Sequence, residues 1–235
     1  MENTYVAVDL ETTGLNPKMD RIIEIGAIKV KNGIVQDMFH KLINPERKIG
    51  EFVEHLTGIT EDMVKDAPKI SEVLPEFLAF VGDAPLVGHN LMFDYSFLKR
   101  NVLNVGGTFE KEGIDTLALV RLFLPQLPKK SLSYVCEQFK IDTGTSHRAQ
   151  DDAKAAAFLY EYMKEKWVLD EKLLEPKPLL CKIKREVPAT RKQKEYLHAL
   201  IKYHKIKLEF EIESLTKNEA SRTIDGIISE YGKMI

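Results

Sequence analysis

The chain has 235 residues and a net charge of −2, and 44% of its residues are apolar and 30% charged, a composition typical of a soluble globular protein. No run of about 18 apolar residues is present, the first residues lack the basic and apolar regions of a signal peptide, and the two cysteines follow no pattern. We therefore expect a cytoplasmic protein with no membrane span and no zinc site.

The first predicted element is a strand over residues 4–10 whose apolar side chains lead into two carboxylates. Asp9 and Glu11 are two residues apart, and alternate residues of a strand face the same side, so both carboxylates point the same way. Negative charge on a buried strand costs free energy unless a cation or hydrogen bonds compensate it. Taken alone, the pair is more simply interpreted as solvated acids at a strand end.

Two further strands, residues 21–31 and 34–42, are joined by Asn32-Gly33, a strong signal for a tight hairpin. The chain then alternates between helices and short strands. The predicted strands are 85–88 and 114–116, and the predicted helices are 61–65, 71–81, 90–105, 117–124, 132–139 and 149–166. An antiparallel meander followed by alternating helices and strands indicates an α/β fold with a mixed sheet.

A Pro-containing segment, residues 175–178, predicts a linker. Beyond it, Thr190 with Gln193 and Thr216 with Glu219 form two capping boxes, each followed by apolar residues at helical spacing. We expect a main domain over residues 1–170, a linker over 171–187 and a two-helix module over 188–235. A unit of about 45 residues is marginally stable alone, so the module is expected to dock on the main domain or on a partner.

The module carries the positive charge of the chain. Residues 181–235 hold twelve basic and eight acidic side chains, hence +4, and the other 22 basic and 28 acidic side chains give residues 1–180 a charge of −6. Six basic residues are candidate contacts to nucleic acid or to a partner, with a solvated basic face as an equally open interpretation. They are Arg191, Lys192, Lys194, Lys202, Lys205 and Lys207.

Two more acidic features lie where α/β folds place their chemistry, at strand ends and in the first turns of the following helices. The first is the segment 89–94, which begins with His89 and ends with Asp94. The second is the segment 147–152, which begins with His147 and ends with Asp152. Each alone is compatible with a solvated helix start, where an acid is favoured by the helix dipole.

Together and in this order, Asp9-x-Glu11-Thr-Thr-Gly, His89-Asn90-x-x-Phe93-Asp94 and His147-x-x-x-x-Asp152 resemble the motifs of the DEDDh, or DnaQ-like, 3′–5′ exonuclease family. The resemblance covers residues 4–167.

Within that family, the sequence is similar to the epsilon proofreading subunit of bacterial DNA polymerase III and to the PolC exonuclease domain. A related branch has Tyr four residues before the last Asp, and Arg148 at that position indicates the His branch. The resemblance implies a ribonuclease H-like fold, with a five-stranded mixed sheet flanked by helices and the small helical appendage at the C-terminus.

The resemblance also implies an activity, the metal-dependent hydrolysis of phosphodiester bonds at DNA 3′ ends in proofreading or repair, with release of nucleoside monophosphates. The implied catalytic residues are Asp9, Glu11, Asp94, His147 and Asp152. The four carboxylates would bind two Mg²⁺ ions, for which Mn²⁺ would substitute, and oxygen ligands suit such hard cations. His147 is the expected general base for the attacking water, because histidine titrates near neutral pH.

Seven residues are candidate contacts to the substrate: Thr12, Thr13, Leu15, Leu56, His89, Asn90 and Phe93. Backbone amides around Thr12 and Thr13 would hold the terminal nucleotide, as the resemblance implies. Leu15 and Leu56 are candidate apolar contacts to the last bases, and Phe93 lines the pocket or packs in the core. His89 is a candidate phosphate contact, and Asn90 a helix cap.

The expected partners are single-stranded nucleic acid 3′ ends and a DNA polymerase or another replisome component, with no membrane. Two other functions stay open. One is an exoribonuclease that trims RNA or short oligonucleotides, because the motifs do not separate DNA from RNA. The other is a non-catalytic nucleic-acid or replisome binding module, which is disfavoured because all five catalytic positions are filled.

Overall fold

The computed structural model describes residues 4–142, 144, 147–167 and 171–234. Its centre is a mixed sheet of six strands: β1 Thr4–Thr12, β2 Ile22–Lys31, β3 Ile34–Leu42, β4 Leu86–Gly88, β5 Glu112–Asp115 and β6 Lys177–Pro178. Their order across the sheet is β3-β2-β1-β4-β5-β6. The first three strands form the predicted antiparallel meander, and β4 and β5 run parallel to β1.

The α/β fold with a mixed sheet is confirmed, and the sheet has one strand more than the predicted five. The added strand, β6, pairs antiparallel with the edge of β5 through Lys177 and Pro178. The prolines of this segment predicted a linker, yet Pro is tolerated on edge strands. The next residue, Leu179, is buried and donates its N–H to the Lys111 carbonyl at 2.8 Å. The proposed domain boundaries stay a prediction.

Helices cover both faces of the sheet and form the C-terminal module. Within the described residues they are α1 Glu51–Thr57, α2 Glu61–Val64, α3 Ile70–Val81, α4 Leu91–Asn104, α5 Thr116–Phe123, α6 Leu132–Gln138, α7 Ala149–Lys166, α8 Arg191–His204 and α9 Lys217–Tyr231. None of them is long and apolar enough to cross a bilayer.

Two differences from the predicted helices have simple causes. Helix α1 was not predicted, and its N-cap is Gly50, which has no side chain to signal a helix start. Helix α3 begins at Ile70, with Lys69 at its N-cap, so it starts one residue before the predicted range 71–81. There the Glu72 carboxylate accepts the Lys69 N–H at 2.7 Å and closes the first turn from inside the helix.

The sheet separates two apolar cores, and the C-terminal module has a third. One core packs β1 and β2 against α3 and α4, and the other packs the opposite face against α5, α6 and α7. In the module, Leu197 and Leu200 of α8 pack against Ala220 and Ile227 of α9. Both predicted capping boxes of the module are present.

Candidate active site

Two carboxylates project from the end of β1 toward α7. Side chains along β1 alternate between the two cores, with Val8 on the α4 side and Ala7 on the α7 side. The two-residue period therefore places Asp9 and Glu11 on the α7 side, as predicted from their spacing. Both residues are half-buried.

Asp94 reaches the same edge of the sheet from α4. Because β4 is parallel to β1, both strands end at one edge, and Asp94 lies in the first turn of the helix that follows β4. The side chain is 3% exposed, and its Oδ1 accepts a hydrogen bond from the Leu10 N–H at 3.0 Å. The charge of Asp94 also helps to raise the pKa of Asp9, so the two carboxylates lie near each other.

The third motif arrives at the N-terminus of α7. The backbone of His147 has a φ of 63°, in the left-handed region, and its N–H donates to Oδ2 of Asp152 at 2.9 Å. Potential ligand atoms of Glu11, His147 and Asp152 all lie within 4.8 Å of one another. His147 is exposed at the rim, whereas the two acids are half-buried.

Burial, together with the charges of neighbouring acids, raises the pKa of each of these carboxylates. Burial, followed by the charges of Asp94 and Asp152, raises the pKa of Asp9 well above its ordinary value. Burial and the Asp152 charge raise the pKa of Glu11 to about 8. Burial is likewise the main cause of the raised pKa values of Asp94 and Asp152. The protein's own cations thus leave this negative charge largely uncompensated.

These donors fit divalent metal ions. Glu11 and Asp152 form a possible metal site with His147, while Asp9 and Asp94 lie outside that group and act on it through their charge. Carboxylate oxygens are hard ligands of the kind that suit Mg²⁺ or Mn²⁺. The buried Cys136 belongs to the core beneath α7, where burial raises the pKa of its thiol to about 12. A thiol held in its neutral form is a poor metal ligand.

A further acid, Glu24, lies next to the site and was not identified from the sequence. It pairs with Glu11 in the β1–β2 register and is 0% exposed. Its carboxylate accepts hydrogen bonds from the Arg148 Nη2 at 2.6 Å and from the Ala149 N–H at 2.9 Å, and it lies 2.6 Å from the His40 Nε2. Although burial acts in the opposite direction, these hydrogen bonds hold the pKa of Glu24 below its ordinary value.

The Glu24 contacts attach the start of α7 to β2, between His147 and Asp152 in sequence. The close approach also depends on Gly26, where an added Cβ would lie 2.1 Å from the carbonyl carbon of Ala149. The sequence signal for this arrangement was an acid and a glycine inside an otherwise β-branched strand. Arg148, which in the sequence indicated only the His branch, therefore helps to attach α7 to β2 through Glu24.

Thr12 and Thr13 lie at the beginning of the loop after β1. Thr12 is buried, and its hydroxyl donates to the Gly14 carbonyl at 2.7 Å. The Thr13 N–H donates to the Arg21 carbonyl at 2.8 Å, and its Oγ1 accepts the Arg21 N–H at 3.0 Å. The Thr13 amide predicted to hold the terminal nucleotide is thus engaged within the loop.

The apolar candidates differ in exposure. Leu15 is 84% exposed on the loop after β1, and Leu56 is 42% exposed on α1. Both are accessible to a ligand. Phe93 is half-buried and packs against Phe97 in the α4 core, with 5.1 Å between ring centroids. The structure therefore places Phe93 partly in the core, which is one of its two predicted roles.

His89 and Asn90 make protein contacts at the turn before α4. The His89 Nδ1 lies 2.9 Å from the Thr116 Oγ1, and its Nε2 lies 2.7 Å from the Lys130 carbonyl, so both ring nitrogens are engaged. Burial lowers the pKa of His89 and favours the neutral ring, which is unsuited to pairing with a phosphate. Asn90 occupies the N-cap position with a φ of 71°, but its side chain makes no capping hydrogen bond.

The basic residues proposed as contacts lie on or beside α8. Arg191 pairs with Glu195 and Lys194 pairs with Glu213 within the module. The other four are exposed: Lys192, Lys202, Lys205 and Lys207. Tyr196 and Tyr203 are exposed on the same helix. Their contact with nucleic acid stays a prediction.

Known proteins are similar to the part of this chain that carries the candidate active site. The family model RNase_T, described as exonuclease, matches residues 6–160. A PolC-type DNA polymerase III of Clostridium perfringens is 42% identical over 183 residues, which cover 76% of this chain and 13% of the relative. The PolC-type DNA polymerase III of Thermotoga maritima is 37% identical and covers 96% of this chain and 17% of the relative. This chain therefore spans less than a fifth of those curated relatives.

Solved structures share the fold. Escherichia coli exonuclease I, in complex with a dT13 oligonucleotide, superposes with a TM-score of 0.64 at 18% identity, covering 70% of this chain and 41% of its own. Exonuclease X, in complex with 5′ overhanging duplex DNA, gives a TM-score of 0.56 at 27% identity and covers 70% of this chain and 94% of its own. In both cases the matched part of the chain is about as long as the predicted main domain, residues 1–170.

Proposed function

We propose that this chain, which belongs to the RNase_T exonuclease family, is a metal-dependent 3′–5′ exonuclease. It hydrolyses phosphodiester bonds at DNA 3′ ends and releases nucleoside monophosphates. One observation carries the proposal. Three separate motifs bring Asp9, Glu11, Asp94 and Asp152 to one edge of the sheet, with His147 at the rim. A cluster of acids whose charge is largely uncompensated within the protein suits two divalent metal ions and a polyanionic substrate.

The chain's own residues then have distinct roles. Asp9, Glu11 and Asp152 are the proposed ligands on the side of the attacking water, and Asp94, fixed by the Leu10 N–H, completes the acidic set. Divalent ions held there supply activation of the water and stabilisation of the charge on the phosphate and on the leaving oxygen.

His147 is proposed to take the proton of the water as its oxygen bonds to phosphorus and the bond from phosphorus to the 3′ oxygen breaks. Such general-base catalysis typically contributes about 10²–10⁴-fold. The hydrogen bond from the His147 N–H to Asp152 fixes the backbone that carries the ring.

DNA is the proposed substrate because the curated relatives are DNA polymerases and the two solved neighbours are described with DNA. Mg²⁺ is the proposed ion, with Mn²⁺ as a substitute. A DNA polymerase or another replisome component is the proposed partner, which places the enzyme in the cytoplasm. An exoribonuclease remains the second candidate, since the acidic site would act on either backbone.

The test uses single-stranded DNA and RNA of one sequence, labelled at the 5′ end, with Mg²⁺, Mn²⁺ or EDTA. We expect a ladder of 3′-shortened products that requires metal, and a DNA rate higher than the RNA rate. His147→Ala should slow the reaction by about 10²–10⁴-fold. The matched control is His198→Ala on the exposed surface of α8. A faster RNA rate would select the second candidate, and no ladder on any substrate would contradict the proposal.

A further inference from the structure

The C-terminal module docks on the sheet domain through charged groups, one of which is deeply buried. Glu219, in the first turn of α9, is 4% exposed. Its Oε1 accepts a hydrogen bond from the Arg21 Nη2 at 2.6 Å and lies 3.4 Å from the Arg47 Nη2. Its Oε2 accepts the Thr216 N–H at 2.9 Å within the capping box. One carboxylate thus caps its own helix and neutralises two arginines of the other domain.

The segment that joins β1 to β2, residues 13–21, is called here the β1–β2 loop; Arg21 is its last residue, and Arg47 contacts it from outside. Arg47 donates through Nη1 to the Met19 carbonyl. At the opposite end of the loop, the Thr13 N–H donates to the Arg21 carbonyl, and the Thr13 Oγ1 accepts the Arg21 N–H. Glu219 is therefore linked through Arg47 to the Met19 carbonyl. Through Arg21 it is linked to the last residue of the loop, whose backbone pairs with Thr13, the first.

A second buried acid of the C-terminal segment makes a parallel link. The side chain of Glu186 is 11% exposed, and its carboxylate pairs with the Arg100 Nη2 at 2.7 Å. The same nitrogen donates to the Lys18 carbonyl in the β1–β2 loop at 3.3 Å. The Glu186 N–H is anchored in turn on Asn104 Oδ1 at 3.0 Å. Two independent acid–arginine links therefore end on adjacent carbonyls of the loop.

A cavity separates the loop from the module on this side. It has a volume of about 130 Å³ and is lined by Pro17, Asp20, Arg21, Arg100 and Thr216 among others. Without Glu219 and Glu186, the positive charges of the three arginines would lose their paired carboxylates. An unpaired charge that is largely buried is costly in free energy. The acids are therefore needed to keep the arginines, and hence the loop carbonyls, in place.

The loop begins two residues after Glu11, a proposed metal ligand, and carries the exposed Leu15. We propose that Glu219 and Glu186 are positioning residues, which hold the β1–β2 loop in the conformation that receives the 3′ end of the substrate. This inference rests on the proposed nuclease function. It gives the C-terminal module a role in substrate binding that requires no direct contact between module and nucleic acid.

The test compares Glu219→Gln and Glu186→Gln in the full chain. The amide introduced by Glu219→Gln would retain an oxygen for the Thr216 cap and lose the charge that pairs with the arginines. The matched control is Glu209→Gln, because Glu209 pairs with Lys48 at the same docking surface but is exposed and does not contact the loop-holding arginines. Amide hydrogen exchange of residues 13–21 is measured by mass spectrometry, with helix α3 as internal reference.

We expect exchange in the loop to accelerate about tenfold in each variant while α3 is unchanged. KM for single-stranded DNA should rise about fivefold, with kcat changed less than about twofold, because the metal ligands lie outside the loop. A purely structural role would lower the melting temperature without this separation of KM from kcat. If Glu219→Gln unfolds, Glu186→Gln tests the second link independently.

Unchanged loop exchange and unchanged KM in an active Glu186→Gln or Glu219→Gln protein would overturn the inference, as would an equal effect of Glu209→Gln. Loss of the nuclease function is distinguishable from this outcome. A wild-type protein inactive on every substrate contradicts the proposed function, whereas hydrogen exchange still measures whether the two acids hold the loop.

Discussion

At the end of β1, Asp9 and Glu11 are crowded by other acids, and the pKa of Glu11 is raised to about 8. At the docking surface of the C-terminal module, Glu219 is 4% exposed, but its carboxylate contacts two arginines. Although burial acts in the opposite direction, the Arg21 charge holds the pKa of Glu219 below its ordinary value. Burial alone therefore does not decide the state of an acid in this fold, and the nearest cation does.

Glu24 makes the comparison sharper because it lies beside Glu11 in the same sheet. The two residues are register partners, yet the pKa of Glu24 is lowered and that of Glu11 is raised. The difference comes from the hydrogen bonds that Glu24 makes, first with Arg148 and then with His40 and the Ala149 N–H. The charge of Glu24 is thus compensated within the protein, and that of Glu11 is not.

The largest expected effect comes from Asp9→Asn. Removing one of the crowded carboxylates should lower nuclease activity by at least about 10³-fold, because several kcal/mol of charge stabilisation depend on the bound ions. The same change should raise the melting temperature of the metal-free protein, since it relieves repulsion with Asp94 and Asp152. It should also abolish the stabilisation by Mn²⁺ that we expect for wild type in thermal denaturation.

Asp37→Asn, at an exposed acid of β3, is the control for that variant. A metal-free melting temperature that falls in Asp9→Asn and not in the control would mean that Asp9 is compensated within the protein. The contrast between the two regions would then be lost.

Glu24→Gln is expected to lower the stability of the metal-free protein, whereas Asp9→Asn is expected to raise it. This change leaves Arg148 without its counter-ion and weakens the attachment of α7, so the free energy of unfolding should fall by about 3 kcal/mol. Activity should fall as well, because α7 carries Asp152. Urea denaturation measures the loss, with Glu112→Gln at the exposed end of β5 as control. A stability equal to that of the control would show that the Glu24 contacts are dispensable.

The smallest expected effect is a pH dependence of stability without metal. Glu11 has a folded-state pKa of about 8, above its ordinary value, so its contribution is present at low pH and is lost as the pH rises through 8. Between about pH 7 and about pH 9, the free energy of unfolding should fall by about 1 kcal/mol. The lowered pKa values of Glu24 and Glu219 act only in acid, where their stabilisation is lost as the pH falls.

Denaturation at several pH values, with and without Mg²⁺, measures this slope. Glu11→Gln should flatten it, and Mg²⁺ should do the same in wild type by favouring the ionised carboxylate. A slope that persists unchanged in Glu11→Gln would assign the effect to another group.

Local sequence patterns were sufficient for the features that depend on neighbouring residues. The two-residue period placed Asp9 and Glu11 on one face, Asn32-Gly33 gave the hairpin, and the predicted bounds of the helix over 149–166 agree with α7. The edge shared by β1 and β4 was predictable as well, because parallel strands end together. Family resemblance then selected the acids that converge there.

Features that depend on contacts between distant segments were not predictable. Glu24 contacts Arg148 across 124 residues, and Glu219 contacts Arg21 across 198, so neither pairing leaves a local pattern. In the sequence both residues are ordinary, one an acid in a strand and the other a capping-box acid. The engaged Thr13 amide and the engaged His89 ring were missed for the same reason, since their partners are set by the fold.

The close contact at Gly26 has a consequence for the tolerance of the whole site. The backbone of α7 rests on β2 with no room for a methyl group, so this single contact fixes how far the helix can approach the sheet. A shift of about 1 Å in a reacting group can lower a rate by about 10²-fold. The position of Asp152, the proposed ligand on α7, is therefore set in part at Gly26, on the strand against which the helix packs.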